Sequence, residues 1–241
     1  MTENRMKYTA SNTIKVNGLT LHYAVEGEGS PIVLVHGNSE DHNLFRTEIA
    51  QLTAAGYKVY APDSRGHGAN EPQAEYHYTD MMEAIYQFIL AMGLEKPALY
   101  GHSDGEIIGL LLEIAHLGTL SALAISGTNL TPEGIETAFV EKFAAINEKK
   151  QDPLITLMLT EPHIEPEALR SITIPVLVTV GDYDLILRSE TDRIVANLPN
   201  ARLVVVEDAD HGSYIMDSEI MGELLIQFLR ESEELSPSVL L

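Results

Sequence analysis

The sequence predicts an α/β fold: a mostly parallel central sheet flanked by helices on both faces. Three observations carry that prediction. The unbroken apolar run at 31–35, and the largely apolar stretches at 57–61, 97–100, 120–125, 175–180 and 202–206, have the length of buried parallel strands. Stretches of helical spacing separate most of them, which is the alternation that builds a sheet covered on both faces. Ahead of them, 14–16 and 19–25 flank Asn17-Gly18, the turn signal of an antiparallel hairpin.

The helical stretches follow in order. Residues 44–54 carry helical spacing and stop at Gly56, and 78–92 form an amphipathic helix closed by Gly93. A helix follows at 106–115, another at 190–198 and a last one at 213–231, with a loose tail expected over 232–241. Residues 127–170 break the alternation. They combine helical spacing (Ile135, Phe139, Phe143, Ile146) with four prolines and no strand pattern, so they are expected to form a small helical cap. The predicted organisation is a core domain of 1–126 and 171–241 with that cap, 127–170, inserted into it.

Composition narrows the function. At 241 residues and 45% hydrophobic content, the chain suits one large domain with a sizeable core. A formal charge of −21 excludes phosphate backbones and anionic membranes as expected partners. There is no cysteine, hence no disulfide, zinc thiolate or thiol nucleophile. Residues 1–13 lack the apolar core of a signal peptide, and 107–117 is too short to span a bilayer and carries Glu113. A cytoplasmic protein is the expectation.

The chemistry is concentrated at Gly101-His102-Ser103-Asp104-Gly105, between an apolar strand and a helix. Gly-x-Ser-x-Gly in that context is a nucleophile elbow. The turn is so tight that Ser103 must adopt a strained backbone, and a Cβ at either glycine would collide with neighbouring chain. The turn lifts the hydroxyl clear of the sheet at the positive end of the next helix. A serine hydroxyl is a weak nucleophile and needs a base. Of nine histidines, His211 follows the last strand at the same sheet edge as the elbow. The acid that orients it is Asp184 or Asp182, both after the strand at 175–180, with Asp210 a third option. His102, His36 and His67 are read as packing or loop residues. No His-x-His or His-Glu-x-x-His spacing exists, so neither a metal nor a cofactor is expected.

With His36-Gly37-Asn38, Asp63-Ser64-Arg65-Gly66-His67-Gly68, the elbow, Gly181-Asp182-Tyr183-Asp184 and Ala209-Asp210-His211-Gly212 in this order, the chain resembles the α/β-hydrolase fold family over nearly its whole length. The resemblance selects Asp184, three residues after the glycine, as the acid. It implies the N–H groups of Asn38 and Asp104 as the oxyanion hole, and Asp63 and Arg65 as loop residues that hold each other and nearby amides. The Ser-Asp-Gly elbow is similar to that of valacyclovir hydrolase-like esterases, where the matching aspartate recognises a substrate amine. Asp104 is therefore a substrate-binding candidate as well as a helix-stabilising residue, although Glu106 stands where that elbow has glycine.

The expected function is cleavage of carboxylic esters or related acyl compounds of small molecules through Ser103, His211 and Asp184. Acyl transfer or carbon–carbon hydrolysis would use the same groups. Haloalkane dehalogenation is disfavoured, because it uses an aspartate nucleophile. The alternative from a different class is a small-molecule receptor of the same fold with a slow triad.

Overall fold

The computed structural model describes residues 12–235. Among these residues eight strands form one sheet: β1 (Asn12–Val16), β2 (Leu19–Glu26), β3 (Ser30–Val35), β4 (Tyr57–Pro62), β5 (Ala98–His102), β6 (Ala122–Ser126), β7 (Val176–Gly181) and β8 (Ala201–Val206). Their spatial order is β1-β2-β4-β3-β5-β6-β7-β8. β1 and β2 pair antiparallel, as do β2 and β4, and every other pairing is parallel. Asn17 and Gly18 sit at φ 46° and 80°, the two left-handed positions that a two-residue hairpin turn requires.

Among the described residues seven α-helices accompany the sheet: α1 (Arg46–Ala54), α2 (Tyr78–Ala91), α3 (Asp104–Ala115), α4 (Thr137–Lys150), α5 (Pro153–Thr160), α6 (Arg188–Asn197) and α7 (Ile220–Leu235). They explain why the strand sequences are apolar without alternation. Val33, Val35 and Leu99 pack into a core with α2, α3 and α6, whereas Ile32, Leu34 and Tyr100 face a second core with α1 and α7. Both sides of each strand are covered, so both must be apolar.

α4 and α5 lie between β6 and β7, where residues 127–170 were expected to be helical. No residue of α4 is fully buried. α5 starts with Pro153 behind Asp152, whose side chain accepts the Leu154 N–H at 2.9 Å. Among the described residues no helix is long and apolar enough to cross a membrane.

Two expectations need correction. The last helix begins at Ile220, not near 213, because 212–216 close on themselves (Ile215 and Met216 N–H to the Gly212 carbonyl) and Asp217 turns left-handed at φ 53°. Tyr214 and Ile215 are buried in that turn, which is why their apolar spacing reads as helix. The expected loose tail is helical as far as Leu235, with Ser232 buried. Its remaining residues, 236–241, and residues 1–11, where a signal peptide was discounted, lie outside the described residues.

Candidate active site

Ser103 stands between the end of β5 and the start of α3 at φ 53°, ψ −119°. A non-glycine residue there is strained and persists only where the surroundings enforce it. Here its N–H donates to the Ser126 carbonyl of β6 (3.1 Å), and its carbonyl accepts the Glu106 N–H (3.0 Å). A Cβ at Gly101 would overlap the backbone of Gly105 and Glu106, and one at Gly105 would overlap the Val35 carbonyl. Both glycines are therefore required by backbone approach, as the sequence suggests.

Ser103 Oγ lies 3.1 Å from His211 Nε2, and His211 Nδ1 lies 2.8 Å from Asp184 Oδ1. A carboxylate only accepts, so Nδ1 carries the proton and Nε2 is left to accept from the Ser103 hydroxyl. Asp184 is buried and held by the Ile186 N–H at 3.0 Å. The other two candidate acids serve the backbone. Asp182 accepts the Ala209 N–H at 3.0 Å, which ties the loop carrying His211 to the end of β7. Asp210 accepts the Gly212 and Ser213 N–H groups. Gly127, at the end of β6, leaves room for the imidazole: a Cβ there would lie 2.6 Å from His211 Cε1. Nothing in the sequence around Gly127 announces that role.

The loop after β3 abuts Ser103. A Cβ on Gly37 would lie 3.0 Å from Ser103 Cβ. His36 Nδ1–H donates to the Gly37 carbonyl (2.8 Å), and His36 Nε2 accepts the Ser64 N–H (2.9 Å). Burial, reinforced by nearby His67, lowers its pKa to about 4, so it is a neutral tie between the loops after β3 and β4. The Asp104 N–H belongs to the first turn of α3, where a helix leaves its donors without intrahelical acceptors.

The sequence model of the family described as alpha/beta hydrolase fold matches residues 30–139. The esterase from Exiguobacterium antarcticum superposes with a TM-score of 0.81 at 21% identity, over 91% of this chain and 99% of that one. The chain has the α/β-hydrolase fold. Epoxide hydrolase 3 of Siraitia grosvenorii is 30% identical over 54% of this chain and 42% of its own length. A haloalkane dehalogenase of Mycobacterium marinum is 34% identical over 45% and 38%. The chain thus spans less than half the length of these curated relatives.

Beside Ser103 lies a polar cluster that the sequence does not reveal. Asp104 Oδ1 accepts from the Tyr78 hydroxyl (2.8 Å), and Oδ2 accepts from Asn38 Nδ2 (3.0 Å). Asn38 Nδ2 also reaches the Leu154 carbonyl in α5 at 3.1 Å. Asp104 is 4% exposed with both oxygens engaged, so its carboxylate is turned into the protein. Burial raises its pKa. Glu106 is closed off near Thr128 and Ser126, and burial pushes its carboxyl well up. Glu40 stands on the loop after β3 with Oε2 accepting the Gly37 N–H at 2.9 Å.

The expected Asp63–Arg65 pairing does not form. Asp63 Oδ1 accepts from His42 Nδ1 (2.7 Å) and from the His42 N–H (3.0 Å), and its Oδ2 accepts the Ala69 N–H (3.1 Å). Arg65 turns to Asp80 of α2 at 3.1 Å. Asp63 is fully buried, and the imidazole of His42, on the short 3-10 turn His42–Phe45, satisfies it. His116 stacks on Tyr86 with ring centroids 3.6 Å apart, and His77 pairs with Glu161 at 2.6 Å. His102 packs 5.1 Å from the His211 ring, and burial holds its pKa well below the usual imidazole value. Among the described residues no three His, Asp or Glu side chains group as a metal site.

Proposed function

We propose that this chain is a serine hydrolase that cleaves carboxylic esters or related acyl compounds of small molecules. The observation that carries the reading is the continuous line from Ser103 Oγ to His211 Nε2 (3.1 Å) and from His211 Nδ1 to Asp184 Oδ1 (2.8 Å). Serine as the attacking residue favours acyl carbon as the electrophile, over the dehalogenation and epoxide opening named for the curated relatives.

In this mechanism Ser103 Oγ attacks the carbonyl while His211 Nε2 takes its proton. The carbonyl oxygen gains the electron pair and accepts hydrogen bonds from the N–H groups of Asn38 and Asp104. Collapse expels the leaving group with the proton from His211, leaving Ser103 acylated. His211 then deprotonates a water, which attacks the acyl carbon and frees the acid and Ser103. Asp184 keeps the imidazole in the required tautomer and stabilises its cation. Residues 127–170 act as a small cap whose α5 is tied to the elbow through Asn38, which favours a small acyl substrate.

The test is hydrolysis of short p-nitrophenyl esters by the wild type and by Ser103→Ala. Turnover confined to the wild type supports the reading. Equal inertness of both overturns it, and tight retention of an ester ligand with negligible turnover would favour a receptor.

A further inference from the structure

Two carboxylates beside Ser103 differ in what they leave free. Asp104 is buried with both oxygens taken by Tyr78 and Asn38. Glu40 is only half-buried, and among the described residues its hydrogen bonding is confined to Oε2 on the Gly37 N–H (2.9 Å). One point in space ties Glu40 to the chemistry. A Cβ on Gly37 would lie 2.8 Å from Glu40 Oε2 and 3.0 Å from Ser103 Cβ, so the carboxylate and the nucleophile flank the same backbone carbon.

Resting on the acyl-hydrolase reading above, we propose that Glu40 selects substrates by the charge of their acyl group, through the carboxylate oxygen that the protein leaves open next to Ser103. Its ionised form favours a cationic acyl group and disfavours an anionic one, and its protonated form is indifferent to that charge. An ionised Glu40 also places negative charge near the forming oxyanion, which a cationic acyl group offsets.

The surroundings make both forms accessible. Burial raises the Glu40 pKa to about 7, opposed by the Gly37 N–H and by His211 on the loop after β8, and assisted by Asp104 of α3 and by Asp41 on its own loop. The selection therefore strengthens as pH rises through neutrality. Glu40 and not Asp104 does this, because Glu40 keeps an open oxygen near Ser103 while both Asp104 oxygens are taken.

The experiment compares p-nitrophenyl 4-(trimethylammonio)butanoate, valerate and glutarate monoester, whose charges are constant between pH 5.5 and 8.5. For the wild type, the ratio of kcat/KM for the cationic over the anionic ester rises about tenfold to a hundredfold across that range. For Glu40→Gln, which keeps an acceptor for the Gly37 N–H, the ratio stays flat. Ser103, His211 and Asp184 are the same in both proteins, so the difference between them belongs to Glu40. A flat wild-type ratio, or the same rise in Glu40→Gln, overturns the inference while leaving the hydrolase reading standing. If no ester is turned over, labelling of Ser103 by fluorophosphonates with the same cationic and anionic arms reads the same ratio. Absence of both turnover and labelling overturns the hydrolase reading and this inference with it.

Discussion

Asn38 Nδ2 lies 3.0 Å from Asp104 Oδ2, joining the loop after β3 to the first turn of α3. The bond ties together the two residues whose N–H groups are the proposed oxyanion donors. Tyr78 completes the cluster from the start of α2, so three elements converge on one buried carboxylate.

Tyr78→Phe removes the donor to Asp104 Oδ1 without opening a large cavity. A buried carboxylate oxygen left without its partner costs about 1–3 kcal/mol. The expected outcome in urea unfolding is a lower midpoint at unchanged slope. Combining it with Asp104→Asn should recover part of the loss, because the two changes act on one interaction. Full additivity of the two would contradict the coupling.

Asp184→Asn leaves the geometry near His211 but favours the wrong imidazole tautomer. A loss of about 10⁴ in kcat with little change in KM is expected for ester turnover. Asp182→Asn should cost far less, since Asp182 serves the Ala209 N–H and not the ring. Steady-state kinetics on both variants separates the two roles; comparable losses would remove the distinction drawn between them.

Gly105→Ala drives a Cβ into the Val35 carbonyl, a backbone atom of a central strand. About 3 kcal/mol or more of lost stability is expected, or failure to fold. Gly118→Ala is the control: its φ is 81°, but nothing lies within 4 Å of the added carbon. Left-handed strain alone should cost about 1–2 kcal/mol there. Similar unfolding midpoints for the two variants would refute the argument from backbone approach.

Glu48 is fully buried in α1, and burial raises its pKa to about 8. The folded protein therefore holds this proton where the unfolded chain, titrating near the ordinary value of about 4.3, has released it. The contribution to stability is full below that value and is lost as pH rises towards 8, at about 1.4 kcal/mol per pH unit for one such group. Glu48→Gln has no such proton to lose, so its stability relative to wild type should grow steadily from pH 5 to 8. Parallel pH profiles of unfolding free energy for the two proteins would show that Glu48 is not the group responsible.

Much of this molecule is legible in the sequence because its constraints are local. The elbow demands glycine at 101 and 105, a parallel strand demands apolar residues on both sides, and Asn17-Gly18 demands a hairpin. The family resemblance misled at Asp63 and Arg65, because the imidazole that satisfies Asp63 comes from a different loop, 21 residues away. Periodicity failed at 213–219, because apolar spacing cannot distinguish a buried turn from a helix.

The sequence by itself determined the strand order of events along the chain, the elbow and the histidine and aspartate that could serve it. Those features follow from backbone sterics and from residue chemistry within a few positions of one another. Residue chemistry near the strand left Asp184, Asp182 and Asp210 open and the family resemblance chose Asp184, but only the tertiary structure brings that carboxylate to the His211 ring. It also decided that Asp104 is sealed by Tyr78 and Asn38 while Glu40 keeps an open oxygen beside Ser103. These outcomes depend on which loops the sheet brings to its carboxyl edge and on which donors arrive there, and partners 26, 27 and 66 residues apart leave no local periodic signal.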